Sequence, residues 1–83
     1  MTTTQTSRPG RRWFTVLDGH RLRHLRRQRR LSQEQLASQA GISTATVARL
    51  ERQPDAPCRC RTLGRLAAAL EEEPARLTPA TPP

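Results

Sequence analysis

Apolar positions recur at helical spacing through most of the chain, and polar or turn-forming residues interrupt them where each element should begin and end. Leu22 and Leu25, with Leu31 just beyond, mark the buried stripe of a first helix that Asp18 caps and that runs to about Arg29. Ser32 and Gln35 fit the S-x-x-Q form of a capping box and start a second helix. Gly41 supplies the left-handed backbone position that ends it. Ser43 caps a third helix through about Arg52. Leu63, Leu66, Ala67 and Leu70 form the inward stripe of a fourth, and Pro74 opens a last short turn anchored by Leu77. Before the first cap, Trp13, Phe14, Val16 and Leu17 make an apolar cluster, placed either over one end of the core or at a dimer contact. From Gln53 to Arg61 the chain reads as a proline-punctuated loop.

Leu36, Ala37, Ala40, Ile42, Val47 and Leu50 can converge between the second and third helices, with Ala37 small where the backbones approach. Two short helices set steeply around a tight turn make a helix-turn-helix, whose second helix can enter a DNA major groove. On a helical wheel Val47 and Leu50 face inward, Ala45 and Arg49 lie nearly opposite, and Arg52 stands alongside them. The predicted fold class is all-α, a compact four- to five-helix bundle containing this helix-turn-helix over residues 13–77. Residues 1–12 read as a disordered basic N-terminal arm, able to lie along phosphates or reach a minor groove, and 78–83 as a disordered tail.

Two charges break the inward stripes. Arg26 projects on the side of Leu22 and Leu25, and Glu51 on the side of Val47 and Leu50. An unpaired buried ion is very costly, so a structural ion pair between Arg26 and Glu51 is expected, tying the first helix to the third.

Charge narrows the partner. The 83 residues carry a formal net charge of +8, and all fifteen basic residues are arginine. That excess favours a polyanion, and guanidinium suits phosphates and base edges. With 34% hydrophobic residues and few aromatics, the core is small and the domain marginally stable alone. No run is long and apolar enough for a membrane span or a signal core, so the expected location is cytoplasmic. Cys58 and Cys60, separated by one residue, are expected as free thiols, because a bridge across that spacing is strained.

Gln33, Ala37, Gly41, Ile42, Val47, Leu50 and Glu51, then Leu66-Ala67-Ala68-Ala69-Leu70 and Pro74 with Leu77, resemble the lambda-repressor/Cro-like (XRE) DNA-binding family. The resemblance spans roughly Asp18 to Leu77 and implies a helical bundle that binds operator DNA, usually as a symmetric dimer. It implies base contacts from Thr44, Ala45 and Arg49, and phosphate contacts from Gln33, Ser43, Arg52, Arg59 and Arg61. Gln33 would also brace the third helix, and Arg26 and Glu51 match a structural pair in several members. Three features depart from the family pattern: Arg30 and Glu71 stand where a glycine commonly ends a helix, and the 54–61 loop is longer than usual. Thr44 and Ala45 are also weak base readers, which shifts the weight of specificity to Arg49, the arm and DNA shape.

The expected function is therefore a sequence-specific DNA-binding transcriptional regulator, a repressor acting by operator occupancy as a homodimer on double-stranded DNA. A second class fits the same fold: an antitoxin-like or co-regulator module whose main partner is another protein. RNA binding is disfavoured by the scarcity of stacking aromatics. The sequence offers no glycine-rich phosphate loop, no cysteine–histidine dyad at readable spacing and no room for a catalytic cleft, so no enzyme is expected. His20 and His24, four apart, with the two cysteines form a weak zinc inventory, since Cys-x-Cys is an unusual ligand spacing. Neither metal nor cofactor is implied.

Overall fold

The computed structural model describes residues 13–79. The N-terminal arm and all but the first two residues of the C-terminal tail lie outside them. The element order is β1 (Phe14–Leu17), α1 (Gly19–Gln28), α2 (Gln33–Ala40), α3 (Thr44–Glu51), β2 (Ala56–Arg59), α4 (Cys60–Leu70) and a closing 3-10 turn, Pro74–Leu77.

Three of the four α-helices begin where the sequence supplies a side-chain acceptor; α4, which follows Arg59, has none. Asp18 accepts the Arg21 N–H at the start of α1, and Ser43 accepts the Thr46 N–H at the start of α3. At α2 both halves of the capping box form, Ser32 Oγ accepting from Gln35 N and Gln35 Oε1 accepting from Ser32 N. Three helices end on the same device, a residue with positive φ whose successor donates its N–H back to the last turn. Leu31 N donates to Arg26 O, Ile42 N to Ala37 O and Glu72 N to Ala67 O. Glycine fills the left-handed position only once, at Gly41 (φ 72°); Arg30 (φ 58°) and Glu71 (φ 57°) fill the other two. Each of those two carries the Cβ penalty of about 1–2 kcal/mol. At α1 and α2 the donating residues, Leu31 and Ile42, are apolar and pack against the core.

The expected all-α class is corrected by a small sheet. β1 and β2 pair antiparallel, Phe14 opposite Arg59, Thr15 opposite Cys58, Val16 opposite Pro57 and Leu17 opposite Ala56. Two readings change with it. The stretch expected as a loop from Gln53 to Arg61 contains β2 and the first two residues of α4. Within the apolar cluster expected at residues 13–17, only Leu17 is buried, whereas Trp13, Phe14 and Val16 are exposed. The physical reason is the pleat: alternate residues face opposite sides, so Leu17, Ala56 and Cys58 point inward while Phe14, Val16, Pro57 and Arg59 point out. Pro57, which has no N–H to give a ladder, is tolerated because β2 is an edge strand.

The core runs through the helices as the stripes require: Leu22, Leu36, Val47, Leu50, Leu66, Leu70 and Leu77 are all without solvent exposure. One close approach sets the packing of α1 on α3. A Cβ added at Gly19 would lie 1.8 Å from the Leu50 carbonyl oxygen and 2.3 Å from that of Gln53. Only a glycine fits there. Its N–H donates to Gln53 O at 3.0 Å, and the neighbouring Asp18 N donates to Leu77 O at 2.7 Å. The start of α1 is thereby fixed to the end of α3 and to the closing turn.

Candidate nucleic-acid interface

α3 is held by one side and bare on the other. Val47, Leu50 and Glu51 are buried, while Thr44, Ala45, Arg49 and Arg52 are exposed. Beneath it lies a polar clamp. Arg26 donates to Glu51 twice, Nε to Oε2 at 2.6 Å and Nη2 to Oε1 at 2.9 Å, and its Nη1 donates to Leu31 O at 2.8 Å. Gln33 Nε2 adds a third bond to Glu51 Oε1 at 3.0 Å. With α1, α2 and α3 each supplying a member, rotation of α3 about its own axis would break charge-assisted bonds in a poorly solvated place. Burial opposes ionisation of Glu51, but the hydrogen bonds from Arg26 and Gln33 outweigh it and hold the carboxyl below its ordinary pKa. The Glu51 carboxylate likewise raises the Arg26 guanidinium.

The residues expected to touch nucleic acid occupy the outer face of α3, the start of that helix and two clefts beside it. Thr44, Ala45 and Arg49 share the exposed outer face of α3, and Arg52 stands exposed just past its last residue. Gln33 and Arg52 line one cleft with Ala48 of α3 and residues of α1. Arg59 and Arg61 line another with Ile42, Thr62 and Arg65. Ser43 stands exposed at the start of α3, its Oγ 2.8 Å from Thr46 Oγ1. The amide nitrogen of Gln33 carries a second hydrogen beyond the one given to Glu51, so bracing and an outward contact are compatible. Arg49 reaches toward β2, its Nη1 3.5 Å from Pro57 O, at the long limit for a hydrogen bond.

Arg65 was missed by sequence reasoning. It donates to Gly41 O at 3.1 Å, pinning the turn between α2 and α3 to α4. Its signal was present as Arg61 and Arg65 four apart, but only with α4 starting at Cys60 do they share a helix face. Cys58 is buried and Cys60 exposed, and burial, helped by the nearby Cys60, pushes the Cys58 thiol up. Among the described residues no group of three or more His, Cys, Asp or Glu side chains is placed to hold a metal ion. No helix among them is long and apolar enough to cross a membrane.

A capped helix pair joined through Gly41, with the second helix clamped inward and bare outward, defines a helix-turn-helix domain. Comparison with known proteins agrees. Residues 19–79 match the family described as "Helix-turn-helix domain". Among solved structures, the restriction-modification controller protein C.AhdI from Aeromonas hydrophila is 38% identical with a TM-score of 0.65, covering 70% of this chain and 86% of its own. The biofilm master regulator SinR, solved in complex with DNA, has the same fold at 22% identity and a TM-score of 0.66, over 71% of this chain and 94% of its own. A hydroxyethylphosphonate dioxygenase matches at 25% identity and a TM-score of 0.69, over 83% of this chain but 15% of its own, so the likeness is confined to a small part of that enzyme. No match was found among curated proteins. The chain belongs to the helix-turn-helix domain family, in its lambda-repressor/Cro-like (XRE) branch.

Proposed function

We propose that the chain is a sequence-specific DNA-binding transcriptional regulator, a cytoplasmic repressor that occupies its operator as a homodimer. The observation that carries this reading is the division of α3, whose buried Val47, Leu50 and Glu51 leave Thr44, Ala45 and Arg49 facing outward. A major groove admits one α-helix and presents base edges to its outer side. There the Arg49 guanidinium suits guanine O6 and N7, the Thr44 hydroxyl a base or phosphate, and the Ala45 methyl a thymine methyl. Gln33 and Arg52 would hold phosphates from the cleft on one side, Arg59 and Arg61 from the other, and Ser43 at the start of the helix. The complex of SinR with DNA and the controller role of C.AhdI support the reading as properties of those proteins.

Selection of bound sequences from a random duplex pool tests it. The expected result is a palindromic consensus, with Arg49→Ala losing about 1–3 kcal/mol of discrimination at one position of each half-site. Arg52→Ala and Gln33→Ala should instead weaken binding to every sequence and flatten its salt dependence. A pool that shows no enrichment contradicts the reading and favours an antitoxin-like or co-regulator module that binds another protein.

A further inference from the structure

α1 carries its own charged face, and that face opens onto α3. Leu22, Leu25 and Arg26 are buried on one side of the helix, while His20, Arg23 and Arg27, at spacings of three and four, are exposed on another. These three line the same concavity, about 560 Å³, as Gln33 of α2, Ala48 of α3 and Arg52 just past its end. A second depression of about 420 Å³, lined by His20, Arg23, His24 and Arg27, extends it along α1.

The charge in this concavity is one-sided. Its one carboxylate, Glu51, is already bonded to Arg26 and Gln33. Among the described residues the ion pairs engage Arg26, Arg29 and Arg76, and none engages Arg23, Arg27 or Arg52. Arg23, Arg27 and Arg52, none of them in a contact ion pair and only Arg23 acting on Glu51 through space, therefore share a cleft, which focuses a positive field instead of spreading it over a solvated face. Guanidinium forks match phosphate oxygens. A strand that brings a phosphate to Gln33 and Arg52 runs directly into the reach of Arg23 and Arg27.

We infer that α1 is a second contact with the DNA backbone: Arg23 and Arg27, with His20 beside them, hold phosphates adjoining the one at Gln33 and Arg52. The footprint thus extends along α1 as well as to Arg59 and Arg61. This rests on the DNA-binding reading, and the experiment separates the two. Binding of a random-sequence duplex is measured against salt for the full chain, for Arg23→Gln with Arg27→Gln, and for Arg21→Gln with Arg76→Gln. The last pair removes the same charge from exposed arginines that do not line the cleft. Thermal melts of each variant check that the fold is kept, and the single Arg27→Gln variant stands in if the double one melts early.

The cleft pair should make the slope of log K against log salt shallower by about 1.8, at ~0.9 per phosphate, and Arg27→Gln alone by half that. The Arg21 and Arg76 pair should leave the slope close to that of the parent. If the parent binds and both pairs change the slope alike, or neither does, α1 is a solvated face and the inference fails alone. If the parent binds no duplex at all, the DNA-binding reading fails with it.

Discussion

Where α1 meets α3, a Cβ at Gly19 would stand 1.8 Å from a backbone oxygen, and Arg26, Glu51 and Gln33 close the contact with three side-chain hydrogen bonds. Where the β1–β2 ribbon meets α3, a hydrogen bond of 3.5 Å runs from Arg49 to Pro57, and Phe14 and Val16 lie exposed on the ribbon's outer face. Both regions flank the same helix, yet they do different work. The α1 seam sets which face of α3 turns outward, because its contacts are short, polar and rigid. The ribbon covers the core with Leu17, Ala56 and Cys58 and leaves the position of α3 to others. A helix that reads a groove needs one fixed side and one free side, and the two regions divide that requirement.

The comparison breaks most sharply at Gly19. Replacing it with alanine forces α1 away from the Leu50 and Gln53 carbonyls, and the expected cost exceeds about 3 kcal/mol, measured by urea unfolding. In a domain of this size that approaches its whole stability, so Gly19→Ala should be largely unfolded at room temperature. A variant that folds as stably as the parent would show that the seam is not tight.

Glu51→Gln is the next largest. It leaves the Arg26 guanidinium buried without its counter-ion, at a cost of about 3 kcal/mol near neutral pH. The pH dependence has a definite sign. The folded pKa of Glu51 lies below its unfolded value, so its contribution is complete above the unfolded carboxylate pKa of about 4.3 and is lost as pH falls through the lower folded value. The stability gap between parent and variant should therefore narrow in acid. A gap that stays constant from neutral pH down to full protonation would detach the clamp from the Glu51 charge.

The ribbon should respond least. Phe14→Ser and Val16→Thr alter exposed side chains, and each should shift stability by less than ~0.5 kcal/mol. A loss of several times that would mean that the outer face of the ribbon is covered in solution.

The same contrast explains what could be read from the chain beforehand. Ser32 with Gln35, Gly41 and Ser43 act through bonds to backbone groups within three residues or through local dihedral freedom, so the bounds of α2 and α3 are visible without tertiary information. Two opposite charges on inward stripes likewise point to each other, because a buried ion needs a counter-charge. The ribbon was hidden because each strand has only four residues, one of them Pro57, and its pairing joins segments about forty residues apart. Gly19 was hidden for a related reason: nothing local distinguishes a glycine after an N-cap from one pressed against a distant carbonyl. At the interface the outward face of α3 was legible from periodicity. The cleft shared by α1 and α3 was not, since it depends on how two helices cross.

The central claim is that the outer face of α3 enters the duplex. Amide chemical-shift mapping of the chain with the duplex recovered by selection tests it most directly. The account requires the strongest changes at Ser43, Thr44, Ala45 and Arg49, with α4 beyond Leu66 silent. Changes concentrated at Phe14 and Val16 on the ribbon, with Thr44 to Arg49 unmoved, would contradict it.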